Sequence, residues 1–183
     1  MLELEKNPVI AAVSSEQELE VALKSGAGVI FMLRANILTL QKCVESASQK
    51  RKKLFVHADM TEGIAKDEFG IAYIAQSGAD GIISTRANLI KASKKAGLMT
   101  VQRFFVIDAR SVETALESVK NCKPDLIEIM PGVVSKVVAR FKENGNIPVI
   151  LGGFIETKQE IISALSAGAI AVSTSKQALW DKI

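Results

Sequence analysis

Short apolar runs alternate with helical patterns from one end of the chain to the other, and this alternation limits the possible folds more than any other feature. The runs are Val9–Val13, Val29–Leu33, Leu54–Ala58, Gly81–Ser84, Thr100–Phe105, Leu126–Met130, Val149–Leu151 and Ala169–Val172. Helical patterns follow at Glu16–Lys24, Asn36–Lys50, Asp67–Gln76, Ala87–Lys95, Asp108–Asn121, Val134–Asn144 and Lys158–Ala167, with a short last one at Gln177–Lys182. Strands apolar on both faces belong in a parallel sheet covered by helices. Eight such units close naturally into a compact (β/α)8 TIM-type barrel. A chain of 183 residues is short for that fold, so loops must be minimal and one or two helices reduced. The expected organisation is a single domain over residues 1–183, with an open doubly wound sheet as the alternative.

An internal repeat supports closure. Ser25-Gly-Ala-Gly, Ser77-Gly-Ala-Asp and Ala167-Gly-Ala-Ile precede the second, fourth and eighth strands. Counting eight residues from each glycine lands on Arg34, Arg86 and Lys176, so a basic residue leaves each of these strands at one height.

Within this pattern, Ile147 to Ser175 holds a complete strand–helix–strand unit. Its first strand ends in Gly152–Gly153, Thr157-x-x-Glu160 is a capping box, and its second strand ends in Ser173–Thr174–Ser175 before the short last helix. Bare glycine backbone admits an anion close to N–H groups, and a helix N-terminus adds donors and a favourable dipole. Ordinary turn residues are the plain alternative. In a barrel, however, these ends lie on the face that carries the site, so a phosphate-binding barrel is expected.

The other polar residues that interrupt buried strands converge on the same face. His57 and Asp59 share parity at the end of strand three, Arg86 follows strand four, Arg103 lies on strand five and Glu128 on strand six. Buried charges are costly unless paired, so these groups must meet one another or a ligand. Either Arg86 and Arg103 neutralise Asp59 and Glu128 in a structural network, or the cluster lines a polar cavity. In the cavity reading the ligand-binding set is His57, Asp59, Arg86, Arg103, Glu128, Gly152, Gly153, Thr174 and Ser175. Phosphate then sits at the glycine- and hydroxyl-rich end, with Asp59 or Glu128 accepting from ligand hydroxyls.

Composition removes several classes. With 48% hydrophobic and 23% charged residues the chain is globular, and no apolar run reaches membrane-spanning length. The N-terminus lacks the order of a signal peptide, and two isolated cysteines suggest neither disulfides nor metal, so a reducing cytoplasm is the expected location. One histidine makes no metal site alone, and no metal or other cofactor is expected. His57 with Glu128 would serve as an acid/base pair, which keeps an enzyme open. No nucleophile elbow, Walker loop or dinucleotide fingerprint is present.

The net charge of +3 means that any nucleic acid is held by local patches. Lys50, Arg51, Lys52 and Lys53, with Lys94, Lys95, Lys120, Lys123 and Lys142, lie at or just past helix C-termini, on the face opposite the phosphate. Cations there complement helix dipoles, and together they also form a ring suited to RNA phosphates.

The ordered motifs resemble one family. They are His57-Ala-Asp59-Met-x-x-Gly63-Ile, Asp67-Glu-Phe-Gly70, Gly81-Ile-Ile-Ser-Thr-Arg86, Gln102-Arg-Phe, Pro124-Asp-x-Ile-Glu128-x-x-Pro-Gly-Val, Gly152-Gly-Phe-Ile and Ala167-Gly-Ala-x-Ala-Val-Ser-Thr-Ser with Leu179–Trp180. From about Pro8 to Trp180 the chain resembles the glycerol-3-phosphate-responsive antiterminators of bacterial glycerol-uptake operons. One departure is Ala58, where a larger aliphatic residue is expected. The resemblance implies a barrel that is not an enzyme, senses glycerol-3-phosphate as a small phosphorylated effector, and acts on leader mRNA. No membrane partner is expected from the apolar pattern, and a homo-oligomer is compatible with it. A phosphate-barrel enzyme acting on a small phosphorylated metabolite is the alternative, and a sensor acting through a protein partner is a third class. Two surfaces compete for RNA: the upper rim, with Arg34 and Arg110, and the lower ring from Lys50 to Lys53. The rim couples to the ligand with little machinery and is the expected one.

Overall fold

The structure is a computed structural model that describes residues 4, 6–134, 137–145 and 147–181. Eight parallel strands close into a barrel in sequence order, β1 pairing with both β2 and β8. They are β1 (Val9–Val13), β2 (Val29–Met32), β3 (Lys53–His57), β4 (Gly81–Ser84), β5 (Met99–Phe105), β6 (Leu126–Met130), β7 (Val149–Gly152) and β8 (Ala171–Thr174). Helices α1 (Glu16–Lys24), α2 (Leu40–Gln49), α3 (Glu68–Gln76), α4 (Ala87–Lys95), α5 (Ala109–Cys122), α6 (Val138–Gly145) and α7 (Lys158–Ser166) connect them. The closed barrel excludes the open sheet. Among the described residues, no helix is long and apolar enough to cross a membrane.

Alternation along the strands makes two cores. Ile10, Phe31, Phe55, Ile83, Val101 and Ile150 fill the barrel interior, while residues of the other parity pack under the helices. Phe31 and Phe55 meet with ring centroids 5.6 Å apart. Space for Phe55 comes from Gly81, where a Cβ would collide with the ring. Local chemistry starts the helices as expected. The Ser15 side chain accepts from Glu18 N–H, and Thr157 and Glu160 bond reciprocally as a capping box. The chain ends are tied across the closure. Trp180 is fully buried with its indole N–H donating to Thr174 O at 2.8 Å, and Asn7 Nδ2 donates to Trp180 O at 3.0 Å.

Several boundaries differ from the expected ones for identifiable reasons. Helix α2 starts at Leu40, not Asn36, because Asn36 bridges to Glu62 and its side chain accepts from the N–H groups of Leu38 and Thr39. Helix α6 starts at Val138, not Val134, and runs through Gly145. Strand β8 occupies Ala171–Thr174, not Ala169–Val172. Ala169 N–H still bonds back to Ala164 O, and the strand finishes on polar residues that find partners in the site. The last helix is a single 3-10 turn at Gln177–Leu179, with Lys182 outside the described residues, so the anion end has less dipole support than a full helix would supply. Ala58 lies in a 3-10 turn (Ala58–Met60) just after β3 and is buried at 2% exposure.

Candidate functional site

Glu128 is the organising group of the C-terminal face. It points into the barrel from β6 with no exposed surface, and both oxygens are engaged. Arg103 Nε, on β5, donates to Oε2 at 2.5 Å, and Ser173 Oγ, on β8, donates to Oε1 at 2.5 Å. Strand β7 lies between β6 and β8, so the serine reaches the carboxylate only over Gly152, the register partner of Ser173. A Cβ on Gly152 would strike both Ser173 Oγ and Glu128 Oε1. Gly152 therefore leaves room for a side-chain bond across β7.

Above this triad opens a cavity of about 290 Å³, a size suited to a small metabolite. Arg103, Gly153, Ser173, Thr174, Ser175 and Lys176 are among its lining residues. The loop after β7 is bent by consecutive left-handed residues, Gly153 at φ 79° and Phe154 at φ 57°. Gly153 O accepts from Gly132 N–H at 3.0 Å, which ties this loop to the one after β6. Thr174 Oγ1 donates to Ile155 O at 2.6 Å and accepts from Lys176 N–H at 3.0 Å. Its hydroxyl thus shapes the wall, and the charged lining residues are Arg103, Lys176 and Glu156.

A second cluster lies at the ends of β3 and β4. Asp59 accepts from Ser84 Oγ at 2.6 Å and from both Thr85 N–H and Thr85 Oγ1 at 2.8 Å. Burial opposes its charge, but these bonds prevail and hold the carboxyl below its usual range. Arg86, more than half exposed, stands 4.0 Å from Asp59. His57 Nε2 is also 4.0 Å from Asp59, too far for a hydrogen bond, and neither ring nitrogen has a partner among the described residues. Burial, followed by the Arg103 charge, pushes the imidazole down to about 4 despite the opposing pull of Asp59. It is a neutral, buried ring with an unmet donor and an unmet acceptor. Lys66 belongs to this cluster too, its amine donating to Thr61 O.

The nine residues expected to bind ligand thus fall into two adjoining groups. Arg103, Gly153, Thr174 and Ser175 line the cavity, with Glu128 and Gly152 beneath them. His57, Asp59 and Arg86 form the neighbouring cluster, and Arg103 is electrostatically felt by both. Ser173 and Lys66 were missed. For Ser173 the signal was available: it shares inward parity with Ala171 and lies beside a glycine. Lys66 gave no signal, since only the loop's path brings it to Asp59. Among the described residues, no group of three or more His, Cys, Asp or Glu side chains could hold a metal ion.

Of the proposed RNA contacts, Arg34 and Arg110 are exposed on the upper face, after β2 and in the first turn of α5. The lower run is heterogeneous. Lys50 caps α2, Arg51 is left-handed at φ 55°, and Lys53 begins β3 and pairs with Asp80 at 2.7 Å. Lys52 Nζ donates to the carbonyls of Ala22, Ser25 and Ala27 at 2.7–2.9 Å, beyond the end of α1.

A closed (β/α)8 barrel with a cavity at the strand C-termini defines a TIM-type barrel protein. The sequence profile described as "Glycerol-3-phosphate responsive antiterminator" matches residues 9–180. The chain belongs to that family. It is 35% identical to the uncharacterized protein YgcP of Escherichia coli K12 over 178 residues, 97% of this chain and 93% of that protein. The crystal structure of the glycerol uptake operon antiterminator regulatory protein from Listeria monocytogenes superposes with a TM-score of 0.92 at 32% identity, covering 98% of this chain and 97% of that one. An antiterminator-related protein from Thermotoga maritima does so at 0.85 and 31%, covering 94% and 96%.

Proposed function

We propose that the protein is a cytoplasmic sensor of glycerol-3-phosphate that binds leader mRNA in its liganded state and lets transcription of glycerol-uptake genes pass a terminator. The observation that carries this reading is family membership across almost the whole chain, joined to a small cavity lined by Arg103, Lys176 and the Gly153 and Ser175 backbone. In this arrangement the phosphate lies against the Gly153 and Ser175 backbone with Arg103 and Lys176 beside it. The glycerol hydroxyls lie toward His57 and Asp59. A hydroxyl both donates and accepts, which matches the two unmet nitrogens of a neutral imidazole.

The chemistry favours binding over turnover. Glu128, the natural partner for acid/base work with His57, has both oxygens engaged. A histidine titrating near 4 is far from the pH at which proton transfer is efficient. Among the described strands the one lysine is Lys53, exposed at the opposite end, and the lysine that lines the cavity, Lys176, stands after β8 and not on a strand.

The test is retention of leader transcript on a filter, with and without glycerol-3-phosphate. Coupling of about 1–3 kcal/mol corresponds to roughly 5–150-fold tighter binding, and RNA must tighten the ligand by the same factor. Turnover of glycerol-3-phosphate without RNA retention would establish the enzyme reading instead.

A further inference from the structure

We propose that unpaired RNA bases stack on Phe105 and Phe154 at the mouth of the effector cavity, so that RNA is read beside the ligand and not at the lysine-rich lower face. This rests on the antitermination reading and adds the surface and the mode of contact.

Three phenylalanines among the described residues are more than half exposed, Phe69 at 76%, Phe105 at 57% and Phe154 at 73%. All three lie on the C-terminal face of the barrel: in the first turn of α3, at the end of β5, and in the loop after β7. The lower face, where the lysines gather, has no exposed aromatic side chain among the described residues. Single-stranded RNA is held by aromatic platforms as well as by cations, so the aromatics separate two surfaces that cations alone do not.

Phe105 and Phe154 are also joined to the cavity. Phe105 is in register with Met130, which lines it, and Phe154 lines it directly. A non-glycine residue in the left-handed region is uncommon, and here it turns a large apolar ring toward solvent between Gly153 and buried Ile155. Arg110, in the first turn of α5 after β5, and Lys176, which lines the cavity as Phe154 does, have no ion-pair partner among the described residues, leaving them for phosphates. Glu156 and the helix-capping Asp108 share this rim, so stacking outweighs charge there. Effector held against the Gly153–Phe154 backbone would fix the ring on which a base stacks, and this links the two ligands without any change passing through the barrel.

The test uses RNA selected from a random single-stranded library for glycerol-3-phosphate-dependent retention on the wild-type protein. Phe105→Ala should bind that RNA roughly 5–150-fold more weakly, while keeping its glycerol-3-phosphate affinity, which also shows that it is folded. Phe105→Trp should retain the RNA and show quenching of the new indole fluorescence when RNA is added. The wild-type salt slope should be shallow, and Lys50→Gln with Arg51→Gln should leave it nearly unchanged. Unaltered RNA binding by Phe105→Ala overturns the proposal and leaves the antitermination reading standing. So does a self-association lost in Phe105→Ala with RNA affinity intact, which would make the rim an interface between copies. Failure of the wild type to retain any RNA overturns both.

Discussion

Arg103 Nε donates to Glu128 Oε2 at 2.5 Å, and the carboxylate that holds the guanidinium has no surface of its own. A buried ion pair is a weak source of net stability, but removing one partner strands the other. Arg103 lines the cavity and Glu128 lies buried behind it, so the carboxylate holds the guanidinium in place.

Glu128→Gln should therefore destabilise the fold and loosen the cavity together. Loss of one partner of such a pair typically costs about 3–5 kcal/mol. At about 2–4 °C per kcal/mol, the melting temperature should fall by roughly 6–20 °C. Calorimetric titration should show weaker binding of glycerol-3-phosphate and inorganic phosphate alike. An unchanged melting temperature would mean that Arg103 finds another partner.

His57 makes stability depend on pH in a defined window. Its ordinary value is 6.5 and its folded value about 4, so between these the unfolded chain holds a proton that the folded chain refuses. Stability attributable to the neutral ring is complete above pH 6.5 and is lost as pH falls toward 4, by about 3 kcal/mol at most. Asp59, whose carboxyl is also lowered, adds a loss in the same direction at still lower pH. Urea midpoints at pH 7 and pH 5 should differ for the wild type and converge for His57→Gln. Equal midpoints in the wild type would show that the ring is not held neutral.

Most of the barrel was legible because two-sided apolar strands and capped helices are local signals. What escaped lay where tertiary contacts override them. Hydrophobicity ends at Val172 and so points to a strand two residues early, whereas β8 continues through Ser173 and Thr174, whose hydroxyls donate hydrogen bonds to Glu128 and Ile155 O. The members of the site were visible as polar residues on buried strands, but not their depth. Glu128 has no exposed surface, and its bond to Ser173 across β7 follows only from the Gly152 gap. The lysine run looked uniform because the role of Lys52 depends on carbonyls about 25–30 residues away in sequence.

Lys52 should behave as a structural residue. Its three bonds satisfy carbonyls at the end of α1, and burial lowers its pKa below the usual lysine value. Lys52→Met should cost roughly 1–3 kcal/mol. Lys50→Gln on the same run should fall within about 0.5 kcal/mol of wild type. Guanidinium denaturation of the two variants checks this. Equal stabilities would place Lys52 among the surface charges.

If the cavity lined by Arg103, Gly153 and Lys176 takes glycerol-3-phosphate, the compound protects the fold against thermal denaturation. A ligand that binds only the folded state at about 100 times its Kd adds roughly 2.7 kcal/mol. For a chain of this size that is a rise of roughly 5–10 °C. Glycerol-3-phosphate should produce this rise, glycerol should not, and Arg103→Met should abolish it. Equal shifts with glycerol and glycerol-3-phosphate, or none with either, would contradict the account.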